Sequence, residues 1–238
     1  MTLDWNAALQ AVVAHPLFGV SLTLLAYQIA LSLYEKTKWV IFQPVLVSCV
    51  IIISILVTFN IDYAAYKEGT FLLSVLLGPA TVALAIPLYL NLKRIRQVFW
   101  PTIFTLLVGG SLATVLGVGL AWFFGAEPFI LSTMAPKSVT SPIAMLVADE
   151  IGGSASLAAV FVMITGIVGA MVGVELLRLF NVTHPAAVGL TMGITAHAVG
   201  TARSLQEGEE QGAFAALAMS IMGLLTAVLM PLVYMLIS

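Results

Sequence analysis

APKSVTSP, residues 135–142, interrupts an apolar stretch of membrane-crossing length with two prolines, a lysine and three hydroxyl side chains. Inside the hydrocarbon core an unpaired backbone amide or carbonyl costs several kcal/mol, so irregular backbone persists there only where protein or trapped water supplies partners. Two other apolar stretches are broken similarly, by GPAT at residues 78–81 and by GITAHAVGTAR at residues 193–203. The three breaks predict a polar cavity near the bilayer midplane, of the kind that transporters line with discontinuous helices.

The composition is that of an integral membrane protein. Of the 238 residues 61% are hydrophobic and 8% are charged, against roughly 25% charged in a soluble domain. The net charge of -2 argues against nucleic-acid binding, because no basic face replaces phosphate counterions. Zinc-protease, serine-hydrolase, phosphate-loop and C-x-x-C motifs are missing from the sequence. We therefore expect no enzymatic activity; an intramembrane hydrolase using one serine and His197 is the enzymatic alternative.

The apolar segments predict an all-α polytopic membrane protein. Windows of roughly 20 residues, the length that a helix needs to cross the bilayer core, give eight segments. Their approximate bounds are 17–34, 39–59, 70–92, 98–124, 128–148, 154–177, 185–205 and 211–237. Beyond residue 125 the broken segments are either full crossings or re-entrant hairpins. The connections are short, so residues 1–238 are predicted to form one membrane domain, with 1–60 as a dimerisation scaffold and 70–238 as the transport core.

Two further patterns bear on topology. Lysine and arginine are enriched in short cytoplasmic loops, and five of them follow the first and third segments, which places the amino terminus outside. Similar tripeptides, TMA at 133–135 and TMG at 191–193, open the second and third breaks. They predict an internal repeat, as in many secondary transporters, and hence an elevator-type architecture.

The second break carries the strongest functional signal. A lysine near the bilayer centre costs about 2.5–3.5 kcal/mol on insertion scales, so Lys137 needs a partner or a watery cavity. Hydroxyls and freed amides beside it are suited to a carboxylate, as exposed helix N-termini are. The alternative is a shallow segment from which Lys137 reaches the headgroups.

The other two breaks each have a structural alternative. In the first, Thr81 follows the predicted break and the alternative is a kinked helix in which this hydroxyl bonds its own backbone. In the third, a neutral imidazole at His197 donates and accepts hydrogen bonds and suits proton coupling, or simply serves as a structural hydrogen bonder. Glu207, four residues after Arg203, is placed to orient that guanidinium.

These considerations select three sets of residues. The predicted substrate-binding residues are Thr81, Lys137, Ser138, Thr140, Ser141, His197, Thr201 and Arg203. The predicted helix-breaking residues are Gly78, Pro79, Pro136, Pro142, Gly193 and Gly200. The candidates for ion coupling are His197, Asp149, Glu150 and Glu207. No metal or cofactor is predicted beyond a coupling proton or sodium ion.

The three breaks together resemble the LrgB/CidB family of bacterial membrane proteins. This family includes YohK-type proteins and is related to the C-terminal half of the plastidial glycolate/glycerate translocator. The resemblance rests on LGPATVALAIPLY at 77–89, APKSVTSPIA at 135–144 and AHAVGTAR at 196–203, and it covers nearly the whole chain. It implies a multi-pass protein of the bacterial inner membrane, and two functions. One is transport of small carboxylates such as glycolate, lactate, glycerate or pyruvate. The other is antiholin-like control of murein hydrolase export and lysis, beside a small LrgA/CidA-type partner.

The charged residues in the breaks favour transport. A regulator that acts only by helix association has no need of Lys137, His197 and Arg203 in broken segments, where each raises the cost of insertion. We therefore expect a homodimeric secondary transporter of small monocarboxylates or hydroxy acids, coupled to protons or sodium. The antiholin-like regulator is the main alternative, and a channel is the third.

Overall fold

The computed structural model describes residues 10–37 and 39–237, except for the side chains of Val40, Leu77, Thr81 and Ile237. Every regular element in this part of the chain is helical, as predicted. Within it, five helices are long and apolar enough to cross a membrane: Phe18–Thr37, Phe71–Leu90, Phe99–Phe123, Ala155–Leu179 and Glu209–Leu236. The chain divides into two compact units, Met1–Ala83 and Leu84–Ser238.

Unit 1 is organised around close contact between its first helix and the turn that follows its third. Its helices are α1 (Phe18–Thr37), α2 (Pro44–Thr58), α3 (Tyr63–Glu68) and α4 (Phe71–Ala83). The Val20 amide donates to the Gly69 carbonyl over 3.1 Å. A Cβ on Gly19 would lie 2.5 Å from the Gly69 carbonyl carbon, so this approach requires glycine. The Thr23 and Tyr66 hydroxyls hydrogen-bond at 2.7 Å.

The predicted break at Gly78 and Pro79 is wrong: both residues lie inside α4, which continues to Ala83. Membrane helices tolerate proline where neighbouring groups adjust, and nothing lies within 4 Å of the space beside Gly78. A local irregularity comes at Leu84, which keeps helical φ and ψ values and joins α4 to α5 (Ala85–Leu90) within the apolar span Phe71–Leu90. Pro87 has no amide for the carbonyl four residues earlier, that of Ala83, and it fits the first turn of a helix. The Thr81 side chain lies outside the described residues.

Unit 2 continues from α5 with three long helices and a broken helix between two of them. Its further helices are α6 (Leu92–Gln97), α7 (Phe99–Phe123), α8 (Pro128–Met134), α9 (Ser141–Glu150), α10 (Ala155–Leu179), α11 (Pro185–Glu207) and α12 (Glu209–Ile237). The main core forms where α7, α11 and α12 meet, around Leu106, Leu190, Ile194, Phe214 and Met222.

Ion pairs show which helix ends of unit 2 lie together. Arg94, before α7, pairs with Glu210 at the start of α12, with Nε and Oε1 3.2 Å apart. Its Nη2 also lies 3.3 Å from Nε2 of His184, the residue before α11. At the end of α10, Arg178 pairs with Glu207 at the end of α11. We call this end of unit 2 the ion-pair side; α7 and α12 start there, α10 ends there, and α11 both starts and ends there.

Helix α11 is a hairpin whose tip is His197. This residue has φ 41° and ψ -127°, whereas the segments on either side of it are helical. A Cβ on Gly200 would contact the carbonyl oxygen of Met192, eight residues earlier. In a continuous helix those residues are about 12 Å apart along the axis. The chain therefore reverses at His197.

The neighbouring helices show the same reversal. On α10, Val188 of the first arm (185–196) packs on Val174, and Arg203 of the second arm (198–207) lies 3.9 Å from Glu175. Residues on opposite arms thus lie level with adjacent residues of α10. We call α11 the second hairpin.

The first hairpin consists of α8, the turn residues 135–140, and α9. It begins after α7 and ends before α10, on the side opposite the ion pairs. With 7 and 10 residues, its helices span only about 10 and 15 Å, too little to cross a core of about 30 Å. Thr133 ties it to the connection into α10, because its Oγ1 accepts from the Ser154 amide over 2.9 Å. The predicted segments 128–148 and 185–205 thus fold back on themselves, starting from opposite ends of the long helices of unit 2.

Candidate functional site

Val162 of α10 is the point at which the two hairpins meet. The Val162 side chain packs against Val139 and Ala144 of the first hairpin. Its carbonyl oxygen lies 3.0 Å from Nε2 of His197, the tip of the second hairpin. Val162 is the eighth of the 25 residues of α10, about 7 Å along the axis from the helix midpoint. Both breaks therefore meet at an interior position of this long apolar helix, and not at its ends.

Lys137 lies at the tip of the first hairpin, against the middle of α7. Its Nζ donates to Ser138 Oγ over 3.2 Å and to the Ala113 carbonyl over 3.5 Å. A Cβ on Gly117 would lie 2.5 Å from Lys137 Cε, so the glycine makes room for the lysine chain. Among residues 10–37 and 39–237, no carboxylate oxygen lies within 4.0 Å of Nζ. The ammonium thus has neutral partners only.

Free backbone amides follow this lysine in the chain, at the start of α9. Thr140 is the N-cap of α9 and Pro142 lies in its first turn, while the Thr140 side chain makes no capping bond. Within the described chain, no group accepts a hydrogen bond from the amides of Ser141 and Ile143. Such amides and the helix dipole favour an anion. Together with Lys137 they can bind a carboxylate.

The other residues of this break differ in their burial. Pro136 is fully buried and lies in the turn between α8 and α9, where its missing amide costs no helical bond. The Ser138 side chain is 6% exposed and hydrogen-bonds Lys137. Thr140 and Ser141 are half-buried, and Pro142 is exposed.

The second hairpin uses its polar side chains internally. The Thr201 hydroxyl donates to the His197 carbonyl over 2.8 Å and is 2% exposed. Gly193 and Gly200 have helical surroundings, so the non-helical residue of this break is His197 itself. The two glycines serve packing instead: a Cβ on Gly193 would contact the Ala215 carbonyl of α12.

Arg203 is engaged by carboxylates on the ion-pair side. Its Nη1 lies 2.6 Å from Glu207 Oε1, and Nη2 lies 3.9 Å from Glu175. Glu207 also pairs with Arg178 at 2.5 Å. The structure therefore does not bring Arg203 to Lys137, and of these two cations Lys137 is the one without a carboxylate partner among the described residues.

Asp149 and Glu150 lie away from the hairpin tips. Both are exposed at the end of α9, on the side opposite the ion pairs. The helix separates them from Thr140 by about 13–15 Å along its axis. Among the residues described, no group of three or more His, Cys, Asp or Glu side chains is arranged to hold a metal ion.

A cavity of about 840 Å³ lies beside the first hairpin, between α7, α8 and α12. Its lining is apolar except for hydroxyls such as those of Ser111, Thr114, Ser132 and Thr226. None of the predicted substrate-binding residues whose side chains are described lines it. The predicted site and this cavity are therefore separate features.

The sequence does not reveal the residues whose carbonyls accept hydrogen bonds from the two hairpin tips. Val162 and Ala113 offer backbone carbonyls, which have no side-chain signature. The glycines of α10 do have one: Gly166, Gly169 and Gly173 recur on one apolar helix, the small-residue pattern of close helix packing in membranes. In the structure a Cβ at any of them would crowd α11.

Comparisons with known proteins identify the family of the chain. The model of the LrgB-like family matches residues 23–236. A protein named antiholin-like protein LrgB from Bacillus mycoides (strain KBAB4) is 31% identical over 218 residues, which cover 91% of this chain and 95% of that protein. Proteins of the same name from Bacillus cereus (strain B4264) and Bacillus anthracis (strain CDC 684 / NRRL 3495) are 30% identical with the same coverage. No solved structure matches the chain. The chain is a multi-pass membrane protein that belongs to the LrgB-like family.

Proposed function

We propose that the protein is a secondary carrier of a small organic anion, with Lys137 as the group that contacts its carboxylate. The observation that carries this proposal is the Lys137 ammonium, which lies against the middle of α7 with neutral hydrogen-bond partners only. A lysine in that position raises the cost of membrane insertion. A bound carboxylate would offset this cost with a charge-assisted hydrogen bond.

The opposed hairpins support a carrier rather than an open channel. One hairpin enters from each side and both tips contact Val162. Discontinuous helices that meet in this way line the central sites of secondary transporters, and inverted repeats commonly produce them. An elevator-type movement of unit 2, with a homodimeric scaffold formed by the first segments, completes this architecture.

The proposed substrate class is supported by the same site. One lysine with adjacent amides and hydroxyls suits a single carboxylate with nearby hydroxyl or keto oxygens, as in glycolate, lactate, glycerate or pyruvate. Coupling to a proton or a sodium ion is part of the proposal, as are the bacterial inner membrane, an external amino terminus and the absence of enzymatic activity.

Counterflow in proteoliposomes tests this function. Vesicles loaded with unlabelled glycolate, lactate, glycerate or pyruvate are diluted into a trace of the labelled compound. A carrier accumulates label transiently above equilibrium, whereas a channel only equilibrates it. Failure of all four anions to show accumulation, with and without sodium and a pH gradient, would contradict the proposal.

The second candidate function is antiholin-like control of cell lysis through membrane-protein contacts. The specific observation in its favour is that relatives at about 30% identity are named antiholin-like protein LrgB, a name that fits regulation and does not mention transport. This function, with or without a small LrgA/CidA-type partner, predicts that Lys137→Met leaves lysis phenotypes unchanged. A carrier whose flux causes those phenotypes predicts that they are lost.

A further inference from the structure

His197 adopts a backbone conformation that normally belongs to glycine. Its φ of 41° and ψ of -127° lie outside the regions that a side chain with a Cβ readily occupies. Glycine would reverse the chain here without strain. A strained non-glycine residue persists only where its surroundings hold it, and such residues cluster at functional positions. The imidazole must therefore contribute something that glycine cannot.

The contacts of the ring show what that contribution is. A carbonyl oxygen can only accept, so the 3.0 Å contact with Val162 means that His197 Nε2 carries the hydrogen and donates it. The ring also fits closely against α10 because Gly166 leaves space for it: a Cβ there would be 2.6 Å from Cε1. The side chain is 3% exposed. Donor and ring surface are both directed at α10.

The accepting residue is shared with the other hairpin. Val139 and Ala144 of the first hairpin pack on the side chain of Val162, the same residue whose carbonyl oxygen accepts the hydrogen bond from His197. The hydrogen bond thus fixes where along α10 the second tip lies relative to the first. Thr201, whose hydroxyl binds the His197 carbonyl, extends the same connection into the second arm.

We infer that His197 is a positioning residue: its Nε2–H holds the tip of the second hairpin on the Val162 carbonyl and so sets the spacing between the two tips. In this role it neither binds the transported anion nor carries a coupling proton. The inference deepens the proposed function, because the tips are taken to frame its site. The tether itself is a property of the fold and is measurable without any transport.

Hydrogen exchange of the full-length protein in liposomes tests the tether. His197→Gln has the same backbone strain and places an amide donor near the position of Nε2, whereas His197→Ala has the strain and no donor. We expect peptides covering 191–205 to exchange roughly two- to tenfold faster in H197A, the loss of about one buried hydrogen bond. H197Q should exchange like the wild type. Equal exchange in H197A and the wild type, or fast exchange in both variants, would overturn the inference.

A second variant approaches the tether from α10. Gly166→Ala places a Cβ against the imidazole and should release the tip as H197A does. Its matched control is Gly109→Ala on α7, where the nearest atom to the new Cβ lies at 3.6 Å. Slow exchange at the tip in G166A, or equally fast exchange in G166A and G109A, would overturn the inference.

Uptake by the same variants separates the two proposals. If an anion is transported, H197Q should retain most of the rate and H197A should lose it, because a donor suffices for positioning. An inactive H197Q with wild-type exchange would contradict the positioning role in favour of proton coupling or ligand binding. If the wild type transports none of the anions, the carrier proposal fails while the exchange result still decides the tether.

Discussion

Gly200→Ala tests whether α11 reverses, because the substitution should destabilise a hairpin and stabilise a continuous helix. The new Cβ would meet the Met192 carbonyl oxygen and lie 2.7 Å from the Ala196 Cβ. The hairpin cannot accept this methyl group without separating its arms. Overpacking of this kind costs about 1–3 kcal/mol. In a continuous helix the same change would instead stabilise by about 0.8–1 kcal/mol, because alanine has the higher helix propensity.

Thermal unfolding of the purified protein measures the difference. A change of 1 kcal/mol moves Tm by about 2–4 °C in a chain of this size, so we expect G200A to lower Tm by roughly 2–12 °C. The control is Gly119→Ala on the exposed face of α7, where nothing lies within 4 Å; its Tm should be unchanged or slightly higher. A G200A protein as stable as G119A would refute the reversal at His197.

Two further substitutions test the contacts that hold the hairpins. Glu207→Ala removes a carboxylate from half-buried Arg203 and should destabilise by about 1–3 kcal/mol, whereas exposed Glu150→Ala should change stability by less than about 0.5 kcal/mol; equal Tm values would contradict the ion-pair assignment. Thr133→Val leaves the Ser154 amide without its acceptor and should cost about 1–3 kcal/mol in denaturant unfolding, so a variant with wild-type stability would show that this bond does not fix the first hairpin.

Much of the helical layout follows from hydropathy and length. The predicted segment 98–124 corresponds to Phe99–Phe123, and 154–177 to Ala155–Leu179. Apolar segments of crossing length are recognisable because the bilayer imposes one length on all of them. The irregular residues 135–140 also follow from composition, since Pro136 and Pro142 bracket polar side chains.

The sequence is less informative where contacts with distant residues decide whether a helix breaks. Proline at position 79 suggests a break, yet the helix continues through it, as membrane helices tolerate. At the third break the two glycines suggested the turning points, but the reversal uses His197, whose conformation depends on a carbonyl 35 residues away. Contacts of this kind have no local pattern. The same holds for Lys137, whose acceptor on α7 is 24 residues earlier.

Anion binding by Lys137 variants tests the central claim most directly. The measurement is the Kd of the purified protein for glycolate, lactate, glycerate and pyruvate, from the ligand-induced rise in Tm. Lys137→Met removes the charge, and Lys93→Met, at an exposed position, is the matched control. Loss of a hydrogen bond to a charged group costs about 1.5–3 kcal/mol, so we predict that K137M weakens binding by roughly 10- to 150-fold while K93M binds like the wild type. Equal Kd values for K137M and the wild type would contradict the account.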